Sequence, residues 1–405
     1  MAQIDDKVKK AKFAAVRKAI KNLEKMTKKE NLVQIYGEAD EIRYDCLPTG
    51  FLTLDAACTG NGVPRSRIIE LFGGESSGKS LICQKIIAST QKIGGVCAYV
   101  DMECTFDPDF AKKLGVNVDE LIISQPGHLQ EAFTVIDALV DAGVDVIALD
   151  SIAALVPKEE LEAEVGKQTV GLVARYMSQF LRRMTKKISD SKSILLLVNQ
   201  VRQAIGVMYG DPTTTPGGKA TAFYSSLRLK VSRPSGGYIK QKTFNGEEEI
   251  IGTTVRVKVV KNKTAAPYKT AEFKVYFDGR ETDTADEIAD IALSRSLIPR
   301  YNAKGELVAN GRIYKWPDEP DFLAKKKDDI AEELRKFPKV KEALEKIIRE
   351  GTYAEHTYTY GEEIEADDFD AIMSDDEIAE AEAQNNAGLS EAEGDESGLD
   401  WSAED

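Results

Sequence analysis

The sequence predicts an α/β protein whose core is a mostly parallel central sheet flanked by helices. Three observations predict it. Residues 96–101 (VCAYVD), 146–150 (VIALD) and 194–198 (ILLLV) are short, almost wholly apolar runs, the pattern of strands buried on both faces. Helical stretches such as 129–142 separate them, and that alternation builds parallel sheets through crossover helices. A further apolar run at 68–72 (IIELF) enters the glycine-rich turn GGESSGKS at 73–80, and residues 80–92 keep Leu81, Ile82, Lys85, Ile86 and Ser89 at helical spacing. Strand, glycine loop and helix in that order are what a G-x-x-x-x-G-K-[ST] phosphate-binding loop requires.

Residues 1–27 set Ile4, Val8, Ala11, Ala15, Ala19, Leu23 and Met26 three or four apart with lysines between them, which predicts an amphipathic helix. Its apolar stripe must pack on its own core or on a neighbour's. Turn residues and an apolar patch at 48–64 lead into the glycine-loop strand. The core spans 46–280, with a further strand at 121–124. Its later runs, 226–231, 254–260 and 272–277, lie closer together and alternate more, so antiparallel strands are expected on one edge. Residues 281–355 read as a small α-rich domain with helices at 286–295, 328–335 and 339–349, a turn-rich middle at 302–316 and Trp316 as core anchor. Residues 356–405 read as a disordered tail, acidic and low in complexity from 361 onward. Trp401 has no evident role in it.

The formal charge of the 405-residue chain is −14, but residues 361–405 alone hold 18 acidic and no basic side chains, leaving +4 for residues 1–360. Ten Lys or Arg against four acids make the first thirty residues +6. The body is mildly basic and the tail acidic; such a tail is ordinarily a solvated segment, and the sharper reading is that it competes with an anionic polymer. The five cysteines show no C-x-x-C spacing, so they read as free thiols in a reducing compartment, with Cys83, Cys97 and Cys104 buried. No long apolar run or targeting segment is evident, and the expectation is a soluble, cytoplasmic protein. The two histidines, His128 and His356, have no ligand-like neighbours, which argues against a histidine metal site or a His-dependent triad.

The chemistry gathers at predicted strand ends. Backbone N–H groups of Gly73, Gly74, Glu75, Ser76, Ser77 and Gly78 can curl around a polyphosphate, Lys79 can reach its β/γ oxygens, and the Ser80 hydroxyl can ligate Mg²⁺. A helix N-terminus after the loop favours the same anion. These residues point to a nucleoside triphosphate. Asp150 closes the run VIALD as a Walker B acid would, orienting Mg²⁺ and its waters. Glu103, in the Asp101-Met102-Glu103 strand end, is placed to orient and activate the attacking water. Asn199-Gln200 ends another strand, where an uncharged amide can sense the γ-phosphate. Residues 201–219, with four glycines, two prolines and three threonines and no hydrophobic period, read as an ATP-gated ligand loop.

The series GGESSGKS, YVDMECTFDP, DVIALDSIAALVPKEELE, LLLVNQVRQAIGVMYGDP, TPGGKATAFYSS and VKVVKNKTAAPYKTAEF resembles, in order, the motifs of the bacterial and phage RecA recombinase family over about residues 5–350. The resemblance implies a RecA-type P-loop ATPase core in an ATP- and Mg²⁺-dependent protein. Such a protein polymerises on single-stranded DNA, pairs it with homologous double-stranded DNA and exchanges strands. It implies that residues 1–45 are a polymerisation helix and linker, and that the partners are DNA and further copies of this chain. A repressor undergoing self-cleavage is a further family partner that the residues leave open. Carried over by position, Lys79, Ser80 and Asp150 serve phosphates and metal, and Glu103 is the catalytic carboxylate. Asp107 and Phe110 receive the adenine, and Gln200 couples the γ-phosphate to DNA loop two at 201–219. Loop one is about 162–170. DNA contacts fall on Val170, Arg175, Arg202, Ile205, Gly217 and Gly218. Lys261 and Lys263 reach a neighbour's ATP across the filament interface, as an arginine finger does in trans.

Phe110 stands at a usual Tyr, Val170 at a Met, Tyr209 at a Phe, Thr213 at a Glu and Pro216 at a Thr, which bears on the coupling between subunits and loops. Arg175, Arg202 and Lys219 supply charge, with Ile205, Val207 and Tyr209 as apolar wedges, as sequence-independent single-strand binding needs. The rival readings are a RecA-fold replicative helicase, which would carry a larger N-terminal helical domain and an arginine finger, and an ATP-gated DNA-binding scaffold without strand exchange. An intact Glu103 favours turnover over the scaffold. A small-molecule kinase would bring lid arginines, and no such signature is evident.

Overall fold

The computed structural model describes residues 6–28, 33, 35, 45–163, 171–203, 213–214, 216–242, 245–277, 284–302, 304–308, 311–326 and 329–350. The acidic tail, residues 164–170 of loop one and residues 204–212 and 215 of loop two lie outside them. The chain forms two compact units, one of residues 1–295 and 334–356, the other of 296–333 and 357–405.

In the first unit nine strands form one sheet: β1 (Arg67–Gly73), β2 (Cys97–Asp101), β3 (Ile122–Ser124), β4 (Val146–Asp150), β5 (Ile194–Gln200), β6 (Leu227–Ser232), β7 (Tyr238–Lys242), β8 (Glu248–Asn262) and β9 (Thr270–Tyr276). Their order is β7-β8-β6-β1-β5-β4-β2-β3, with β9 also paired to β8. From β6 through β3 every neighbouring pair is parallel, whereas β8 runs antiparallel to β6, β7 and β9. The first of the three late strands therefore departs from expectation. β6 joins the parallel core against β1, and antiparallel pairing begins only at β8.

Alternate side chains of the central strands feed two cores, as the period of two along a strand requires. Ile69, Leu71, Val146, Ala148, Ile194, Leu196 and Val198 enter the core on one face, and Ile68, Ile147, Leu149, Leu195 and Leu197 enter the other. Each fully buried Leu or Ile contributes about 1.5–3 kcal/mol. Among the helices are α1 (Asp6–Thr27), α2 (Leu52–Cys58), α3 (Lys79–Lys92), α4 (Pro108–Lys113), α5 (Leu129–Asp141), α6 (Leu172–Ser191), α7 (Lys219–Tyr224), α8 (Thr284–Ser294) and α9 (Pro338–Glu350), and the helix expected at 328–335 forms over Asp329–Lys336. α3 covers the first face through Ile82, Ile86 and Ile87; α5 and α6 cover the second through Leu129, Ile136, Met177, Leu181 and Ile188. α1 buries none of its residues.

α8 and α9, expected within a small domain at 281–355, belong to the first unit and are tied to α2. Glu287 of α8 accepts the Leu52 N–H at 2.6 Å, and Arg349 of α9 donates to Asp55 at 3.1 Å. In the second unit three antiparallel strands form in and around the turn-rich stretch, Arg300–Tyr301, Ile313–Trp316 and Glu319–Ala324. Tyr314 and Phe322 are buried there, whereas Trp316, expected as the core anchor, is only half-buried. Cys58, Cys83 and Cys97 are buried free thiols, but Cys104 is exposed, because it lies in the turn after β2 rather than in the strand. His128 caps α5, its Nδ1 accepting the Glu131 N–H at 3.2 Å.

Candidate nucleotide site

The carboxyl ends of β1, β5, β4 and β2 lie side by side, with Gly73 registered against Gln200 and Asp150 against Asp101. Ligands of parallel α/β sheets bind outside this edge. Gly73 closes β1; Gly74, Glu75 and Ser76 are exposed, and Ser77 is buried. Gly78 adopts φ 101° at the start of α3, a left-handed conformation glycine takes without a Cβ penalty. The 14-residue α3 then presents its first N–H groups to the loop.

Lys79 is 7% exposed, and its Nζ donates to the carbonyls of Gly73 at 3.3 Å and Gly74 at 2.6 Å. Burial pulls its pKa down, opposed by the carboxylates of Asp150, Glu103 and Glu75. The Ser77 hydroxyl is buried with no hydrogen-bond partner among the described residues. Most buried polar groups are hydrogen-bonded, and an anion in the loop would give this hydroxyl a partner.

Asp150 is buried, accepting hydrogen bonds from the Ser80 hydroxyl and, at 2.5 Å, from Tyr99 Oη. Burial pushes its carboxyl above the usual range; the bonds from Ser80 and Tyr99 pull it down, and Glu103 and Asp101 push it up again. One carboxylate and one hydroxyl are hard oxygen donors of the kind Mg²⁺ takes together with substrate phosphates and water. Among the described residues no group of three or more His, Cys, Asp or Glu forms a closed metal cage. The donor set thus fits Mg²⁺ arriving with a nucleotide.

Glu103 is exposed, and its Oε1 accepts from Ser151 Oγ at 2.5 Å and from Gln200 Nε2 at 3.5 Å. Asp101 holds the turn beneath it by accepting the N–H groups of Glu103 and Phe106 at 3.2 and 3.0 Å. Ser151, Tyr99 and Arg233, whose guanidinium donates to the Ser76 carbonyl at 2.7 Å, were not apparent from motif spacing. Only the position of Ser151 directly after Asp150 could have drawn attention to it.

Lys79, Ser80, Asp150, Glu103 and Gln200 are therefore brought together. Other candidates lie elsewhere. Asp107 is exposed and caps α4, accepting the N–H groups of Asp109 and Phe110 at 2.9 and 3.1 Å; Phe110 packs partly on the core. Lys261 Nζ donates to the carbonyls of Ala222 and Phe223 at the end of α7, at 2.7 and 3.0 Å, and Lys263 is exposed. Burial lowers the Lys261 pKa, with Lys263 and Arg228 adding repulsion. Arg175 is exposed on α6, its guanidinium 5.6 Å from the Tyr176 ring. Val170 and Ile205 lie outside the described residues, as does the side chain of Arg202.

At the stem of loop two, Arg202 and Gln203 pair antiparallel with Thr214 and Thr213. The chain leaves it through Gly217 and Gly218 at φ 84° and 71°. A Cβ on Gly217 would lie 3.1 Å from Ile152, and one on Gly218 would lie 3.0 Å from the Ala174 Cβ, so the exit is threaded between the turn after β4 and α6.

A glycine loop between strand and helix, a buried acid on a nearby strand and an exposed carboxylate facing both define a P-loop ATPase. The RecA N-terminal domain model matches residues 14–280. The chain is similar to Protein RecA of Thermus aquaticus, 43% identical over 338 residues that make up 82% of this chain and 96% of that protein. It is likewise similar to Protein RecA of Methylococcus capsulatus, at 41% over 85% of this chain and 94% of that one. Protein RecA of Symbiobacterium thermophilum is 40% identical over 84% of this chain and 93% of its own length. The chain belongs to the RecA family.

Proposed function

We infer that this protein is an ATP-dependent recombinase of DNA repair and the SOS response to DNA damage. It forms homo-oligomeric filaments on single-stranded DNA, pairs them with homologous double-stranded DNA and catalyses strand exchange, with DNA-stimulated ATP hydrolysis. The observation that carries this reading is the meeting, at one sheet edge, of Lys79, Ser80, Asp150, Glu103 and Gln200 with the stem of loop two.

Ser80 and Asp150 would hold Mg²⁺, which supplies charge neutralisation for the phosphates. Lys79 exchanges the carbonyls of Gly73 and Gly74 for phosphate oxygens, and the Ser77 hydroxyl gains its missing partner. Glu103, fixed by Ser151, accepts a proton from the attacking water as general base. Gln200 donates to Glu103 without a γ-phosphate and to that phosphate when it is present, so its position reports the nucleotide state. Asp107 and Phe110 take the adenine, and Arg175, Arg202, Gly217 and Gly218, with Val170 and Ile205, line the DNA path. Lys261 and Lys263 complete a neighbour's site. Among the described residues no helix is long and apolar enough to cross a membrane; we place the protein in the cytoplasm on its free thiols and its DNA substrate.

Lys79→Ala should lower DNA-stimulated hydrolysis to background, removing the one ammonium in the glycine loop. The wild-type protein should exchange strands with homologous but not heterologous duplex. Absence of hydrolysis on single-stranded DNA, or exchange indifferent to homology, would refute the reading.

A further inference from the structure

One buried polar cluster lies between the glycine-loop strand and the exit of loop two. Glu70, on β1 three residues before Gly73, and Asn199, at the end of β5, are each 0% exposed. Glu70 Oε1 accepts from Asn199 Nδ2 at 3.0 Å, and its Oε2 accepts from Arg228 Nε at 2.5 Å. The same Asn199 Nδ2 donates to the Pro216 carbonyl at 3.1 Å, and Asn199 Oδ1 accepts the Gln200 N–H at 3.0 Å. Arg228 on β6 is registered against Glu70 on one side and Lys261 of β8 on the other. Its guanidinium also lies 4.6 Å from the Phe72 ring.

Stability alone does not account for this cluster. Replacing a buried ionic group by apolar residues of like volume is often neutral or stabilising. The chemistry at position 199 is also narrow. An amide offers two N–H donors and an acceptor, and all three are engaged here; an aspartate could not donate and would face the Glu70 carboxylate.

We propose that Glu70, Asn199 and Arg228 are positioning residues that form a relay between the γ-phosphate sensor and the DNA loop. Glu70, held by Arg228, is the fixed pivot. When Gln200 engages a γ-phosphate, its backbone at the end of β5 shifts, and the bond from its backbone N–H carries the Asn199 side chain with it. Asn199 then shifts the Pro216 carbonyl and with it the glycine exit of loop two. Through Arg228 the same pivot reaches Lys261. The relay rests on the reading of Gln200 as sensor and of residues 201–219 as the DNA loop.

The test is the affinity for a fluorescent oligo-dT strand with and without a slowly hydrolysed ATP analogue. The ratio of the two dissociation constants is the coupling factor, and couplings of this kind typically span about 5–150-fold. Asn199→Ala and Glu70→Gln should each reduce the factor about fivefold or more. The double variant should do no worse than either single one, because both act on one path. A folded variant, judged by thermal melting, whose factor stays within about twofold of wild type overturns the relay. If the buried variants do not fold, Arg228→Lys at the partly exposed end decides, with the same loss expected and an unchanged factor again fatal. A wild-type factor near one would instead overturn the nucleotide-gated reading itself, and the relay with it.

Discussion

Glu103 and Glu287 show how far a carboxylate's meaning depends on neighbours distant in sequence. Glu103 was identifiable as a strand-end acid facing the phosphates, but the Ser151 hydroxyl that aims it was not, because that contact depends on how the turn after β4 folds. Glu287 carried no signal, being one acid among many on a predicted helix. In the fold it is 5% exposed, and its Oε2 accepts the first N–H groups of α2 at 2.6 and 3.4 Å. Burial raises its pKa from 4.5 to about 7, against the pull of those two N–H bonds. A folded-state pKa above the unfolded one means that the native state holds the proton more tightly. The resulting stability is present below pH 4.5 and is lost as pH rises through 7. Relative to Glu287→Gln, the wild-type protein should lose about 3 kcal/mol between pH 4.5 and 7.5, at roughly 1.4 kcal/mol per pKa unit. Urea unfolding of both proteins across that range would show it, and a pH-flat difference would contradict the assignment.

At the level of elements, legibility followed burial. The strands with unbroken apolar runs were readable because both faces of the central sheet are covered. β6 (LRLKVS) alternates buried and half-exposed residues and so looked like an antiparallel edge strand, although it pairs parallel with β1. The three strands of the second unit lie in and around turn-rich sequence, where strands of two to six residues leave too little pattern to read. α1 is the converse case, a clear amphipathic period with no buried face. Val8, Val16 and Leu23 are 40–46% exposed and Met26 is 82% exposed on a 22-residue helix. An apolar stripe of this kind on a water-facing helix marks an interaction surface, and in a filament-forming family the partner we propose for it is a neighbouring copy. Deleting residues 1–27 should therefore shorten filaments on single-stranded DNA in electron micrographs while leaving nucleotide binding intact. Filaments of unchanged length would remove α1 from the interface.

For the molecule as a whole, the decisive quantity is the separation of charge along the chain. Residues 1–360 carry +4 and residues 361–405 carry −18. A polyanion tethered to a mildly basic body competes with DNA phosphates for the same lysines and arginines at high effective concentration. Single-stranded DNA seated at the loops beside the nucleotide site, as we propose, would feel this competition less than duplex approaching from outside. Mg²⁺ and salt should relieve the competition by screening the tail's carboxylates. Truncation after Tyr360 should thus raise duplex affinity at low Mg²⁺, with the gain shrinking as Mg²⁺ or salt increases. Duplex titrations by fluorescence anisotropy at several Mg²⁺ concentrations measure both. Equal affinities for the truncated and full chains at low Mg²⁺ would mean that the tail does not shield the DNA surface. A gain that persisted undiminished at high salt would mean that it acts by some route other than charge.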